Sequence, residues 1–131
     1  MSPEKNAKLH NYGNQSVVLN ELSGLQRVEY LAYARERAAQ FDEASAGMEE
    51  GARQIAFMEM GMDINAWLVS RSLWNADQSQ NVAALFSSVR VTWSWDALGM
   101  AAESILALSG MALTVATEGD DVKEVLTPEK S

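Results

Sequence analysis

Residues 22–41 read LSGLQRVEYLAYARERAAQF, and the start and spacing of this stretch set the fold class. Ser23 followed three residues later by Gln26 fits a capping box, in which hydroxyl and amide reciprocally satisfy backbone donors at a helix start. Leu25, Val28, Leu31, Ala34, Ala38 and Phe41 then recur at spacings of 3, 3, 3, 4 and 3. That is one stripe of an amphipathic helix, and the expectation is that it faces the core. Gln26, Glu29, Tyr30, Tyr33, Glu36, Arg37 and Gln40 fall on the opposite face.

The same pattern extends along the chain. Prolines occur only at positions 3 and 128, so no helix breaker interrupts the interior. After a break at Ser45-Ala46-Gly47, a second helix is predicted from about Glu50 to Trp74, with Glu49 and Arg53 at i,i+4 spacing. It carries two apolar stripes: Ile55, Met58, Met62, Ala66, Val69 and Leu73, and then Phe57, Met60, Ile64, Trp67 and Trp74. Such a helix is either central to a bundle or offers one face to a partner. A polar connection at residues 75–80 leads to a short third helix marked by Val82, Leu85, Phe86, Val89 and Trp93. Ser94 is placed to cap a fourth helix, with Asp96 in its first turn and Leu98, Ala101, Ile105, Leu108 and Ala112 buried. Gly110 either ends that helix or sits within it. Before the first helix, Asn11-Tyr12-Gly13-Asn14 has turn chemistry and Val17-Val18-Leu19 is a β-branched apolar run, so residues 8–20 read as a short hairpin or extended strand. The fold expected is mainly α: a compact bundle of about four helices with an N-terminal β-hairpin or extended arm. The domain spans residues 1–117, with the arm at 1–20, and residues 118–131 form an acidic, disordered tail.

Composition narrows the chemistry. The chain has 131 residues, one domain's worth, and no internal repeat. Cysteine is absent and His10 is the lone histidine, which excludes disulfides, thiol nucleophiles, thiolate zinc sites and histidine metal cages. No phosphate-binding glycine loop and no catalytic triad order occur, so neither enzyme nor cofactor is expected. Eighteen acidic residues against ten basic ones give a formal charge of −8, which repels phosphate backbones and argues against nucleic-acid binding. Residues 97–116 approach the length of a membrane span, but Glu103 lies inside and the flanks are acidic, so no membrane partner is expected. Residues 1–16 hold no apolar signal core, which points to the cytosol.

The run Val18-Leu19-Asn20-Glu21-Leu22-Ser23-Gly24-Leu25-Gln26-Arg27-Val28-Glu29-Tyr30-Leu31 resembles the opening of the lambda-type minor tail protein G family, the tail assembly chaperones of long-tailed bacteriophages. Three shorter pieces follow in the family's order: Ser72-Leu73-Trp74, Val91-Thr92-Trp93 and Leu108-Ser109-Gly110-Met111. The matches touch residues 17–38 and 68–111. The family pattern has Pro after the last Trp, where this chain has Ser94; both residues can start a helix. The resemblance implies an assembly factor that holds the tape measure protein soluble in the host bacterial cytoplasm while tail tube subunits assemble, and that is absent from the mature virion. It also implies a frameshifted longer product that engages the tail tube protein, with this chain as the short product.

A holdase needs an adaptable apolar face. Phe57, Met60, Ile64 and Trp67 are the expected partner-binding residues, because methionine-rich helical surfaces adapt to varied helices. Tyr30 and Tyr33 join them, since both lie off the first helix's apolar stripe. The rival readings are a structural minor tail component and a small helical phage or prophage regulator. The latter would need a basic recognition helix, and no helix here concentrates Lys or Arg.

Overall fold

The computed structural model describes residues 7–12 and 15–111. Of the turn expected at Asn11–Asn14, Asn11 and Tyr12 instead extend the first strand, and residues 13–14, like the burial of Ala112 and the acidic tail, lie outside the described residues. Two antiparallel strands, β1 (Ala7–Tyr12) and β2 (Gln15–Asn20), are followed by four helices: α1 (Gly24–Ser45), α2 (Glu50–Ala76), α3 (Val82–Thr92) and α4 (Trp95–Leu108). The expected mainly-α bundle with an N-terminal hairpin is thus the observed architecture, and the sequence-predicted helix starts hold. Ser23 accepts from the Gln26 backbone N–H while the Gln26 side chain accepts from that of Ser23, closing the capping box. Ser94 accepts from Ala97 N–H at 3.1 Å and opens α4. Gly110 settles its own ambiguity. At φ 72° it takes the left-handed conformation that glycine adopts without a Cβ penalty, and Met111 N–H returns to Leu106 C=O at 2.7 Å, ending α4.

α2 is the central element, packing against α1, α3, α4 and β2. Its C-terminal half is buried: Ala66, Leu68, Val69, Ser70 and Ser72 join Leu19, Leu22, Val89, Leu98, Ala101 and Ile105 in the core. Its N-terminal half is not, and Ile55 and Met58 of the first predicted stripe are exposed. The first alternative foreseen for this helix, a central place in the bundle, holds for its C-terminal half, while the N-terminal half leaves apolar side chains uncovered. On the hairpin, side-chain alternation puts His10 and Leu19 inward and leaves the directly paired Leu9 and Val18 outside. His10 stacks on Trp93 with ring centroids 6.0 Å apart. Among the described residues no helix is long and apolar enough to cross a membrane.

The hairpin end and the start of α1 are held by side chains borrowed from α2 and α4. Ser72 Oγ accepts from Asn20 N–H at 2.6 Å and donates to Asn20 C=O at 2.9 Å, so one hydroxyl replaces the missing third strand for that residue. Ser109 Oγ accepts from Leu22 N–H at 2.9 Å. Asn75 donates to Glu21 C=O at 3.0 Å and exchanges two hydrogen bonds with the Gln26 amide. Gln26 thus caps its helix and anchors it at once.

The expected orientation of α1 is corrected. Leu25, Val28 and Leu31 are 68%, 63% and 58% exposed, Ala38 is exposed, and of the predicted stripe only Phe41 is fully buried. α1 packs through the face expected to be solvated. The reason is the partner surface: Asp63, Trp67, Arg71 and Asn75, each four residues on, form the ridge of α2 beneath it. A charged and amide-bearing ridge is satisfied by polar and aromatic groups and not by leucines.

Replacing Ser72 by Ala removes the partner of two half-buried backbone groups of Asn20. Stability to urea should fall by about 1–3 kcal/mol with the helical circular dichroism of the folded state retained.

Candidate functional site

The α1–α2 joint is an antiparallel zipper of specific pairs. From the base upward these are Gln26 with Asn75, Tyr30 and Tyr33 with Trp67, Arg37 with Asp63, and Phe41 with Phe57. Trp67 is only 6% exposed. The Tyr33 ring stacks on it at 5.9 Å, Tyr30 tilts against it at 6.1 Å, and the Arg71 guanidinium lies 4.3 Å from its ring centre. Burial pushes both phenols above the ordinary tyrosine range, and the Asp63 charge adds to this for Tyr33. Burial likewise lowers Arg71, opposed by the charge of Glu29.

Asp63 is the electrostatic centre of the joint. It receives Arg37 Nη2 from α1 at 3.0 Å and Arg90 Nε from α3 at 2.7 Å, so one carboxylate ties three helices. Glu59 lies 3.7 Å from the same Arg90.

These placements divide the six residues expected to bind a partner. Trp67 is a core anchor, and Tyr30 and Tyr33 are half-buried against it rather than free on the surface. Aromatic rings with polar tips suit a partly wet helix joint, which explains their use here. Met60 and Ile64 are half-buried on α2, and Phe57 is 58% exposed at the far end of the α1–α2 pair. There Phe57, Met58, Phe41, Arg53, Gln54 and Glu50 line an open groove of about 420 Å³. A second exposed apolar surface is one that sequence reasoning assigned to the core: Leu25, Val28 and Leu31 on the outside of α1, with Ala32 exposed beside them. The four-residue repeat of Asp63, Trp67, Arg71 and Asn75 was the signal that could have revealed it. Among the described residues no group of His, Asp and Glu could hold a metal ion.

The four stretches that carried the family resemblance meet in space. Asn20 bonds Ser72, Leu22 bonds Ser109, and Trp93 shares the apolar core with Leu19 and Leu22. Compared with known proteins, residues 5–127 match the family model described as bacteriophage lambda tail assembly chaperone, TAC, protein G. The chain belongs to that family. It is 30% identical over 104 residues to tail assembly protein G of Escherichia phage lambda, covering 73% of this chain and 69% of that protein. The same identity and length relate it to tail assembly protein GT of the same phage, of which the chain covers 35%. No solved structure matches. A tail assembly chaperone has a non-enzymatic role. Within those stretches Asn20, Leu22, Ser72 and Ser109 tie the hairpin, α1, α2 and α4 together, while Leu25, Val28 and Leu31 of the first run stay exposed.

Two outcomes test the joint. Asp63→Ala leaves the Arg37 and Arg90 guanidiniums facing each other, and unfolding in urea should show a loss of about 3 kcal/mol. For Tyr30 and Tyr33 the folded pKa is raised above the ordinary value of 10.0, so their contribution is complete below pH 10 and is lost as pH rises through the folded pKa. Thermal melts of the Tyr30→Phe, Tyr33→Phe double variant should decline less steeply above pH 10 than those of the parent chain.

Proposed function

We propose that this tail assembly chaperone binds the tape measure protein and keeps it soluble in the host bacterial cytoplasm while tail tube subunits assemble around it. The observation that carries the reading is the outward apolar stripe of α1. A polar joint seats the helix, so Leu25, Val28 and Leu31 remain available without any rearrangement of the core. A tape measure protein, long and helical, exposes apolar stripes of its own before it is enclosed, and such stripes aggregate unless covered. The net charge of −8 keeps the loaded complex soluble and separate from its copies.

Phe57 is proposed as a second contact at the opposite end of α1–α2, with Met60 and Ile64 behind it supplying adaptable bulk. Trp67, Tyr30 and Tyr33 act through the joint, holding the stripe in place. The chain is proposed as the short product of a frameshifted gene pair whose longer form engages the tail tube protein. The two lambda relatives support this, since the same 104-residue similarity covers 69% of protein G and only 35% of protein GT. A slippery heptanucleotide before an overlapping downstream frame is the corresponding mark in the coding DNA.

Co-expression with the tape measure protein of the same genome should yield a soluble complex that survives size-exclusion chromatography, and purified virions should lack the chain. A client that stays insoluble, or virions carrying the chain at fixed copy number, would make it a structural tail component instead. Phe57→Ser, Met60→Ser, Ile64→Ser should weaken client capture; if the helical circular dichroism is lost instead, these residues belong to the core.

A further inference from the structure

The outer face of α1 has a finer pattern than a simple apolar stripe. Positions 25, 28, 32, 35, 39 and 42 follow one another at 3, 4, 3, 4 and 3, the spacing of a coiled-coil seam, and all are exposed. Leu25, Val28 and Ala32 fill its first two turns, with Leu31 beside them; beyond them the seam positions are Arg35, Ala39 and Asp42, so the apolar part is confined to the start of α1. Along one edge stand Glu29, Glu36 and Glu43, seven residues apart and all exposed. In a coiled coil these are flanking positions, where charge selects the partner.

We infer that this seam docks a helix of the opposite charge: an amphipathic client segment with its own apolar 3–4 repeat and Lys or Arg along the edge that meets Glu29, Glu36 and Glu43. The inference rests on the chaperone reading and names the chemistry of its client. Two other occupants carry the wrong charge. A second copy would bring the same glutamate row and the same net −8. The chain's own residues 112–131 hold Glu118, Asp120, Asp121, Glu124 and Glu129 against Lys123 and Lys130. Neither supplies a basic edge.

The test titrates the full chain, by calorimetry at about 0.15 M salt, with two synthetic three-heptad peptides. Both carry Leu at the seam positions, one with Lys and one with Glu at the flanking positions; like charge in each discourages self-pairing. The Lys peptide should bind at least about tenfold more tightly than the Glu peptide. Leu25→Ser, Val28→Ser, Leu31→Ser should weaken it about tenfold or more while leaving the melting temperature within about 4 °C, because these side chains are already exposed. Glu29→Lys, Glu36→Lys, Glu43→Lys should invert the preference. Unchanged binding by the serine variant, or an uninverted preference in the lysine variant, overturns the inference. So does a dimer of the parent chain that the serine variant abolishes, or tighter peptide binding once residues 112–131 are removed. Co-expression with the tape measure protein separates the two ideas. Full capture by the serine variant sinks the seam as the client site and spares the chaperone reading. Stripe-dependent peptide binding without tape measure capture sinks that reading and sustains the docking of a basic helix.

Discussion

The carboxylate of Asp63 decides which way α1 faces. Once a nearly buried acid sits on the central helix, the helices beside it must bring cations, and Arg37 and Arg90 do so from opposite sides. Arg37 shares its face of α1 with Gln26, Tyr30 and Tyr33, so that face turns inward as a unit. The hydrophobic residues of α1 are then left outside as a geometric necessity. A leucine-lined joint of similar volume would be no less stable in principle, since buried ion pairs add little net stability over apolar packing. What the polar joint adds is register. Each pair along it, from Gln26–Asn75 at one end to Phe41–Phe57 at the other, is satisfied in one alignment only.

Much of the fold was legible because caps and breaks are local chemistry. Ser23 with Gln26, Ser94 and Gly110 mark helix ends by short-range hydrogen bonding that needs no knowledge of neighbours. The face a helix buries is a different matter. It depends on the surface opposite, and hydrophobic periodicity assumes that surface to be greasy. For α4 the assumption holds: Leu98, Ala101 and Ile105 are buried as expected. For α1 it fails, since the facing ridge of α2 is Asp63, Trp67, Arg71 and Asn75. For the same reason Trp67, Tyr30 and Tyr33 are drawn into the joint, while Phe57 stays outside.

The division of labour along the chain is equally physical. The hydroxyls of Ser72 and Ser109 and the amide of Asn75 close one structural knot, where a lost hydrogen bond leaves a backbone group of the hairpin or of the α1 entrance unpaired. The outer stripe and the distal groove around Phe57 carry no such obligation, because exposed apolar positions exchange at little cost to folding.

The bond from Leu22 N–H to Ser109 Oγ places the exit of α4 against the entrance of α1. Fraying of the last turn of α4 therefore strips the Leu22 N–H of its acceptor, and the two helix ends open together rather than one at a time.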